Sequence, residues 1–139
     1  EHVRWRAGGA LFVALNVPGN NNNVRQPAEH AARMRAAMQW LDEALALPHG
    51  RVVLLMQANP FVGRRGYADL VAKLAALGRD MPGRVVLVHG DTHLYKDDEP
   101  LPGLRRIEVW GAPWVSWLRA ALVDGPRGGE LRVDSVAHH

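Results

Sequence analysis

The sequence predicts an α/β chain of the α+β kind, in which a mixed sheet holds a parallel strand, helix, strand unit followed by antiparallel strands. Three observations carry this. Residues 51–56 and 84–88 are apolar after their leading arginine with no polar alternation, as in strands covered on both faces. Between them Leu70, Leu74 and Leu77 recur at helical spacing. From residue 105 the pattern changes to alternation, with Ile107 and Val109 set against Arg106 and Glu108, which predicts half-exposed antiparallel strands.

At 139 residues and 47% hydrophobic composition, residues 1–139 form a single domain or part of one, with material for a core. The formal charge is +3, and 15 of the 17 basic residues are arginine. They are scattered, so an anionic partner is permitted while a nucleic-acid footprint is not indicated. The chain has no cysteine, which excludes disulfides, thiolate chemistry and cysteine zinc sites. No apolar run is long enough to span a membrane, and the first residues carry no signal-peptide pattern. The compartment, cytoplasmic or periplasmic and secreted, stays open.

In chain order, residues 9–17 read as a buried strand between Gly8-Gly9 and Pro18-Gly19. The Asn20 to Asn23 run reads as a loop, because asparagine tolerates left-handed backbone and bonds its own main chain. Pro27 and Glu29 open a helix. Met34, Met38, Leu41 and Leu45 form its apolar stripe, which makes the methionines core residues, and Leu47-Pro48-His49-Gly50 ends it with His49 as an exposed cap. The second helix is expected to stop at Gly78. Residues 94–103, with Lys96, Asp97, Asp98 and Glu99, read as a solvated loop. Strands are then expected over 105–110, 114–123 and 131–134, with a turn at 124–129. The tryptophans at 110, 114 and 117 are expected to be core or sheet-covering residues rather than a base-stacking platform.

The chemistry concentrates where the two apolar strands end. If they run parallel, Gln57-Ala58-Asn59-Pro60 and Gly90-Asp91-Thr92-His93 share one edge, the edge at which layered α/β proteins bind ligands. Asp91 and His93 are both good ligands for divalent metals at a spacing that lets them reach one ion or two neighbouring ions. An ordinary polar turn has the same composition. His89, at the last strand position, is either packed in the core or orienting its neighbours. Asn59 and Asn22 are within reach of a substrate on this layout.

This order of elements, with Val88-His89-Gly90-Asp91-Thr92-His93 followed by Tyr95 and by Lys96, Asp98, Pro100 and Leu101, resembles the C-terminal half of a calcineurin-like metallophosphoesterase. It is similar in detail to a bacterial branch with Gly-Asp-(Ser/Thr)-His in place of Gly-His-x-His. The resemblance implies the second half of a four-layer αββα sandwich. It implies that His93 ligates a first metal, that Asp91 stands where the family has a histidine for a second metal, and that Gln57 replaces another histidine. One or two divalent ions (Mn, Fe or Zn) are implied. The remaining ligands, an Asp-x-His, a bridging Asp and an Asn-His pair, are expected in an N-terminal half upstream, since residues 12–23 match the region just after them.

The activity so implied is hydrolysis of phosphate mono- or diesters by a metal-bound hydroxide in the complete protein. The chain by itself is not expected to catalyse, and its partner is expected to be the missing half or another copy. Two alternatives follow from other features. The changes at 57 and 91 fit a degenerate relative that keeps the fold as a binding or interaction module, and the arginine content fits a nucleic-acid-binding α/β domain, against which the dispersal of the arginines argues.

Overall fold

The computed structural model describes residues 2–114, 116–123 and 129–137. Six strands form one mixed sheet in the order β1-β2-β3-β4-β6-β5. These are β1 (Val3–Ala7), β2 (Ala10–Ala14), β3 (Arg51–Leu55), β4 (Val85–His89), β5 (Lys96–Leu101) and β6 (Leu104–Glu108). The expected parallel unit of β3 and β4 is present and extends to β2 on one side. On the other, β6, expected to be antiparallel, instead runs parallel to β4 and antiparallel only to β5, and β1 is antiparallel to β2. A separate antiparallel pair, β7 (Ser116–Val123) and β8 (Glu130–Ala137), lies apart from the main sheet's ladder.

Three layers result. After a short turn, α1 (Gly19–Asn22), helices α2 (Pro27–Leu45) and α3 (Ala68–Asp80) connect β2 to β3 and β3 to β4, and both pack on one face of the sheet. Successive crossovers stepping the same way across a sheet place their helices on the same side. Met34, Leu41, Leu70 and Leu74 there meet Leu11, Val13, Leu54 and Leu87. The opposite face, carrying Val53, Val86 and Ile107, is covered by Leu118, Leu122, Leu131 and Val133 of the β7–β8 pair. That pair therefore covers part of the face which half of a layered fold would leave bare. No helix among the described residues is long and apolar enough to cross a membrane.

The repeated strings Gly50-Arg51-Val52-Val53-Leu54 and Gly83-Arg84-Val85-Val86-Leu87 sit side by side in register. Arg51 donates to the Gly83 carbonyl at 2.9 Å, and Arg84 donates to the Gly50 carbonyl at 3.5 Å. Each guanidinium thus fastens the start of the other strand.

Several expectations are corrected. Residues 3–7 form an edge strand, joined to β2 by a two-residue turn in which Gly8 and Gly9 both have positive φ, 53° and 77°. The charge run at 94–103 holds β5 rather than a loop throughout; it is an edge strand, where charge and Pro100 block further pairing, and its register shifts between Asp98 and Leu101. The strand expected to be half exposed, observed at 104–108, is covered on both faces: Leu104 lies in the helix-side core, Ile107 in the core under β7–β8, and Arg106 and Glu108 are buried with them. Gly78 does not end its helix, which runs on to Asp80. Its missing Cβ instead lets the chain pass close, since a Cβ there would stand 2.4 Å from the Pro102 carbonyl oxygen. Trp114 and Trp117 are 62% and 46% exposed, so neither is a core residue. His49 is partly covered, its Nδ1 donating to the Leu47 carbonyl at 2.6 Å. The turn expected at 124–129, except Gly129, and the face expected for Val115 lie outside the described residues.

Candidate functional site at the strand ends

Because β2, β3, β4 and β6 run parallel, their carboxyl ends lie along one rim, and the loops that follow are laced together there. Gly90 N–H donates to the Gln57 carbonyl at 3.1 Å, and Ala58 N–H to the Val17 carbonyl at 3.1 Å. These bonds bring Gln57 and Asp91 into one place, as the strand pattern implied. Gln57 Nε2 lies 3.5 Å from Asp91 Oδ1, Asn59 N–H donates to Asp91 Oδ2 at 3.1 Å, and Gln57 Oε1 accepts from Gly19 N–H.

Two residues of this turn hold unusual backbone. Asp91 has φ 93° and His93 φ 63°, conformations that side chains other than glycine adopt at a cost of about 1–3 kcal/mol each. His93 is exposed and leans toward the loop after β6: its Nδ1 donates to the Ala112 carbonyl at 2.9 Å. That bond leaves Nε2 as the free lone pair of the ring. Gly111 makes the approach possible, since a Cβ at that position would lie 2.4 Å from His93 Cδ2.

Beneath the turn lies a buried carboxylate. Glu108, with no exposed surface, accepts at Oε1 from Thr92 N–H at 2.9 Å and from the Thr92 hydroxyl, and at Oε2 from Lys96 at 2.7 Å and Asn59 Nδ2 at 3.2 Å. Burial pushes its pKa up, but the hydrogen bonds from Lys96 and Thr92 outweigh that and hold it below the ordinary glutamate value. Four donors on two oxygens make Glu108 the residue on which Asn59, Thr92 and Lys96 converge. The sequence offered little sign of it beyond an acid alternating with apolar residues downstream of a lysine.

His89 is buried, with Nδ1 donating to the Gly90 carbonyl at 2.7 Å and Nε2 lacking a hydrogen-bond partner. Burial lowers its pKa and favours the neutral ring, while the bond to Gly90 works against that shift.

Asn22 has a different place. It sits in a left-handed turn, α1 (Gly19–Asn22), continued by Asn23, with φ between 52° and 56° at all four asparagines. Its side chain is fully buried. Nδ2 donates to the Gly66 carbonyl at 2.5 Å, Arg33 donates to Oδ1 at 2.5 Å, and its own N–H donates to Tyr67 Oη at 3.0 Å. Asn22 therefore locks two loops together and presents nothing to a substrate in this conformation. The same junction requires glycine at 66, where a Cβ would stand 2.0 Å from the Asn21 carbonyl oxygen.

As a test of fit to a divalent ion, the donors divide. His93 fits, with one ring nitrogen fixed by a carbonyl and the other open, the arrangement that orients imidazole ligands. Asp91 fits through Oδ1, which has only the long contact with Gln57. Gln57 is the poorer donor, because one lone pair of its neutral amide oxygen already accepts from Gly19 N–H. Among the described residues no three His, Asp, Glu or Cys side chains are gathered as a metal cluster, so an ion held here draws further ligands from elsewhere.

The fold and rim define the chain as a mixed α/β sheet protein with a polar site at the carboxyl ends of parallel strands. Comparison with protein-family models, with curated proteins and with solved structures finds no match.

Proposed function

We propose that this chain is the C-terminal part of a metal-dependent phosphoesterase of the calcineurin-like kind, hydrolysing phosphate mono- or diesters at the rim where Asp91 and His93 stand. The observation that carries the reading is the strained turn at 91–93, which holds the Asp91 carboxylate beside Gln57 and fixes His93 with its Nε2 open. Strain of this kind persists where surrounding structure over-determines it, here through the Glu108 bonds to Thr92 between the two residues. The layer order of helices, six-stranded sheet and second sheet is also what three layers of an αββα sandwich would give.

Divalent ions bound there would polarise phosphoryl oxygens and lower the pKa of water. The residues of this chain contribute the imidazole, the carboxylate and the frame that orients them. Remaining ligands come, on this reading, from a segment upstream of Glu1. The test is metal content and hydrolysis of bis(p-nitrophenyl) phosphate by the protein carrying that segment. Metal-dependent turnover lost in His93→Ala supports the reading, and a protein that binds neither manganese, iron nor zinc refutes it.

A second reading, a binding module without catalysis, is favoured by the backbone N–H groups that already occupy Gln57 Oε1 and Asp91 Oδ2. It predicts no metal uptake and an intact diester. Nucleic-acid binding has less support, because the guanidinium groups of Arg33, Arg51, Arg105 and Arg106 are engaged by carbonyls and carboxylates of the chain itself.

A further inference from the structure

The segments on either side of the His93–Ala112 contact carry three aromatic rings. The Tyr95 and Trp110 rings stack with centroids 6.2 Å apart and planes inclined by 22°, and Trp114 meets Trp110 edge-on at 6.1 Å. Trp114 is 62% exposed and Leu94 54% exposed. Large apolar side chains left in water at a candidate site, rather than singly over the surface, ask for a ligand.

The cluster is mechanically part of the His93 unit. Tyr95 follows His93 by two residues, while Trp110 and Trp114 flank the Gly111-Ala112 segment that receives the His93 ring. The backbone N–H of Trp114 donates to the Gly111 carbonyl at 3.0 Å, which closes the turn that carries both the indole and the segment receiving the imidazole. Tyr95 packs against the core beneath the β7–β8 pair and Trp110 is half-buried against it, so the accessible surface offered along the chain from His93 is chiefly the Trp114 indole, backed edge-on by Trp110. Such a surface suits a planar ring, which gains from offset or edge-to-face contact, better than a flexible alkyl chain.

We propose that Tyr95, Trp110 and Trp114 form a subsite for a planar aromatic or heteroaromatic group, so that the substrates of this site are phosphate esters bearing such a group. The proposal rests on the phosphoesterase reading for the phosphate and on the ring geometry for the aromatic part.

The test titrates the 139-residue chain with adenosine 5′-monophosphate and, separately, with ribose 5-phosphate, following tryptophan emission. Saturable quenching by the nucleotide alone is expected, weakened about tenfold in Trp114→Ala with an unchanged melting temperature, since the indole is mostly exposed. Equal responses to the two phosphates, no response to either, or an unaltered nucleotide affinity in Trp114→Ala would overturn the subsite. So would a variant whose melting temperature falls only in the protein extended upstream, since Trp114 would then be covered by the rest of the fold. The two ideas fail separately. An extended protein that binds no metal but retains nucleotide binding removes the phosphoesterase and keeps the subsite. In the extended protein, equal kcat/KM of parent and Trp114→Ala for a nucleoside phosphodiester removes the subsite and keeps the phosphoesterase.

Discussion

The ammonium group of Lys96 stands 2.7 Å from Oε2 of Glu108, a carboxylate with no exposed surface at the end of a central strand. Lys96 begins the edge strand β5 and Glu108 ends β6, and the two are direct partners in the ladder. This pair, with Thr92 and Asn59 completing the shell, makes the turn bearing Asp91 and His93 a fixed feature of the fold.

Replacing Lys96 by methionine keeps the aliphatic stem and removes the charge. Glu108 is then left as a buried carboxylate with Thr92 and Asn59 as its donors. Partial exposure of the lysine moderates the loss, which is expected to be about 2–3 kcal/mol in urea denaturation. A change within about 0.5 kcal/mol would mean that water already satisfies the carboxylate.

Glu108 also sets an acid limit. Its folded pKa lies below the ordinary value of about 4.3, so its ionised form stabilises the fold fully above that value. The contribution is lost as pH falls through the unfolded and then the folded pKa. Glu108→Gln, compared with the parent by chemical denaturation from neutral to strongly acid pH, is expected to lose stability at neutrality and to show a flatter acid limb. An identical acid limb would remove Glu108 as its source.

Asn22 joins α1, α2 and the 3-10 turn Arg64–Tyr67 through buried bonds. Asn22→Ala leaves the Gly66 carbonyl and an Arg33 guanidinium N–H without these partners, and a loss of about 2–4 kcal/mol is expected. Gly66→Ala, which drives a Cβ into the Asn21 carbonyl, is expected to cost at least as much. Thermal unfolding of both variants checks this.

The parallel unit was legible because residues 51–56 and 85–88 have no polar residue after their arginines and are too short for a buried helix, which fits strands covered on both faces. The equally buried β6 was not, because its Arg106 and Glu108 are paired by side chains of another element, Asp98 and Lys96 of β5. The rim followed from it: Gln57 and Asp91 meet because parallel strands end together. The edges were not legible. Residues 3–7 and 96–101 are exposed and charged or mixed, the composition of both a loop and a protected edge strand. Glu108 was hidden by the same ambiguity, since alternation shows that two faces differ without showing that one of them meets solvent. Gly78 mimicked a helix stop because close chain approach and termination favour the same residue.

His93 depends on Gly111 for its position. Gly111→Ala places a Cβ against the imidazole and is expected to break the Nδ1 bond to Ala112, with little effect on stability because the ring is exposed. The imidazole nitrogen signals of His93 in NMR report the change: Nδ1 protonated and hydrogen-bonded in the parent, exchanging freely in the variant. A persistent Nδ1–H signal in Gly111→Ala would contradict this geometry.

The most direct measurement is manganese binding, followed by titration calorimetry together with bis(p-nitrophenyl) phosphate hydrolysis, in the protein extended upstream of Glu1 and in its Asp91→Asn and His93→Ala variants. Metal-dependent turnover that falls more than about a hundredfold in His93→Ala, with weakened manganese binding in both variants and melting temperatures preserved, is the expected result. Parent-like metal affinity and turnover in both variants would show that the strained turn at the strand ends is not part of a metal centre.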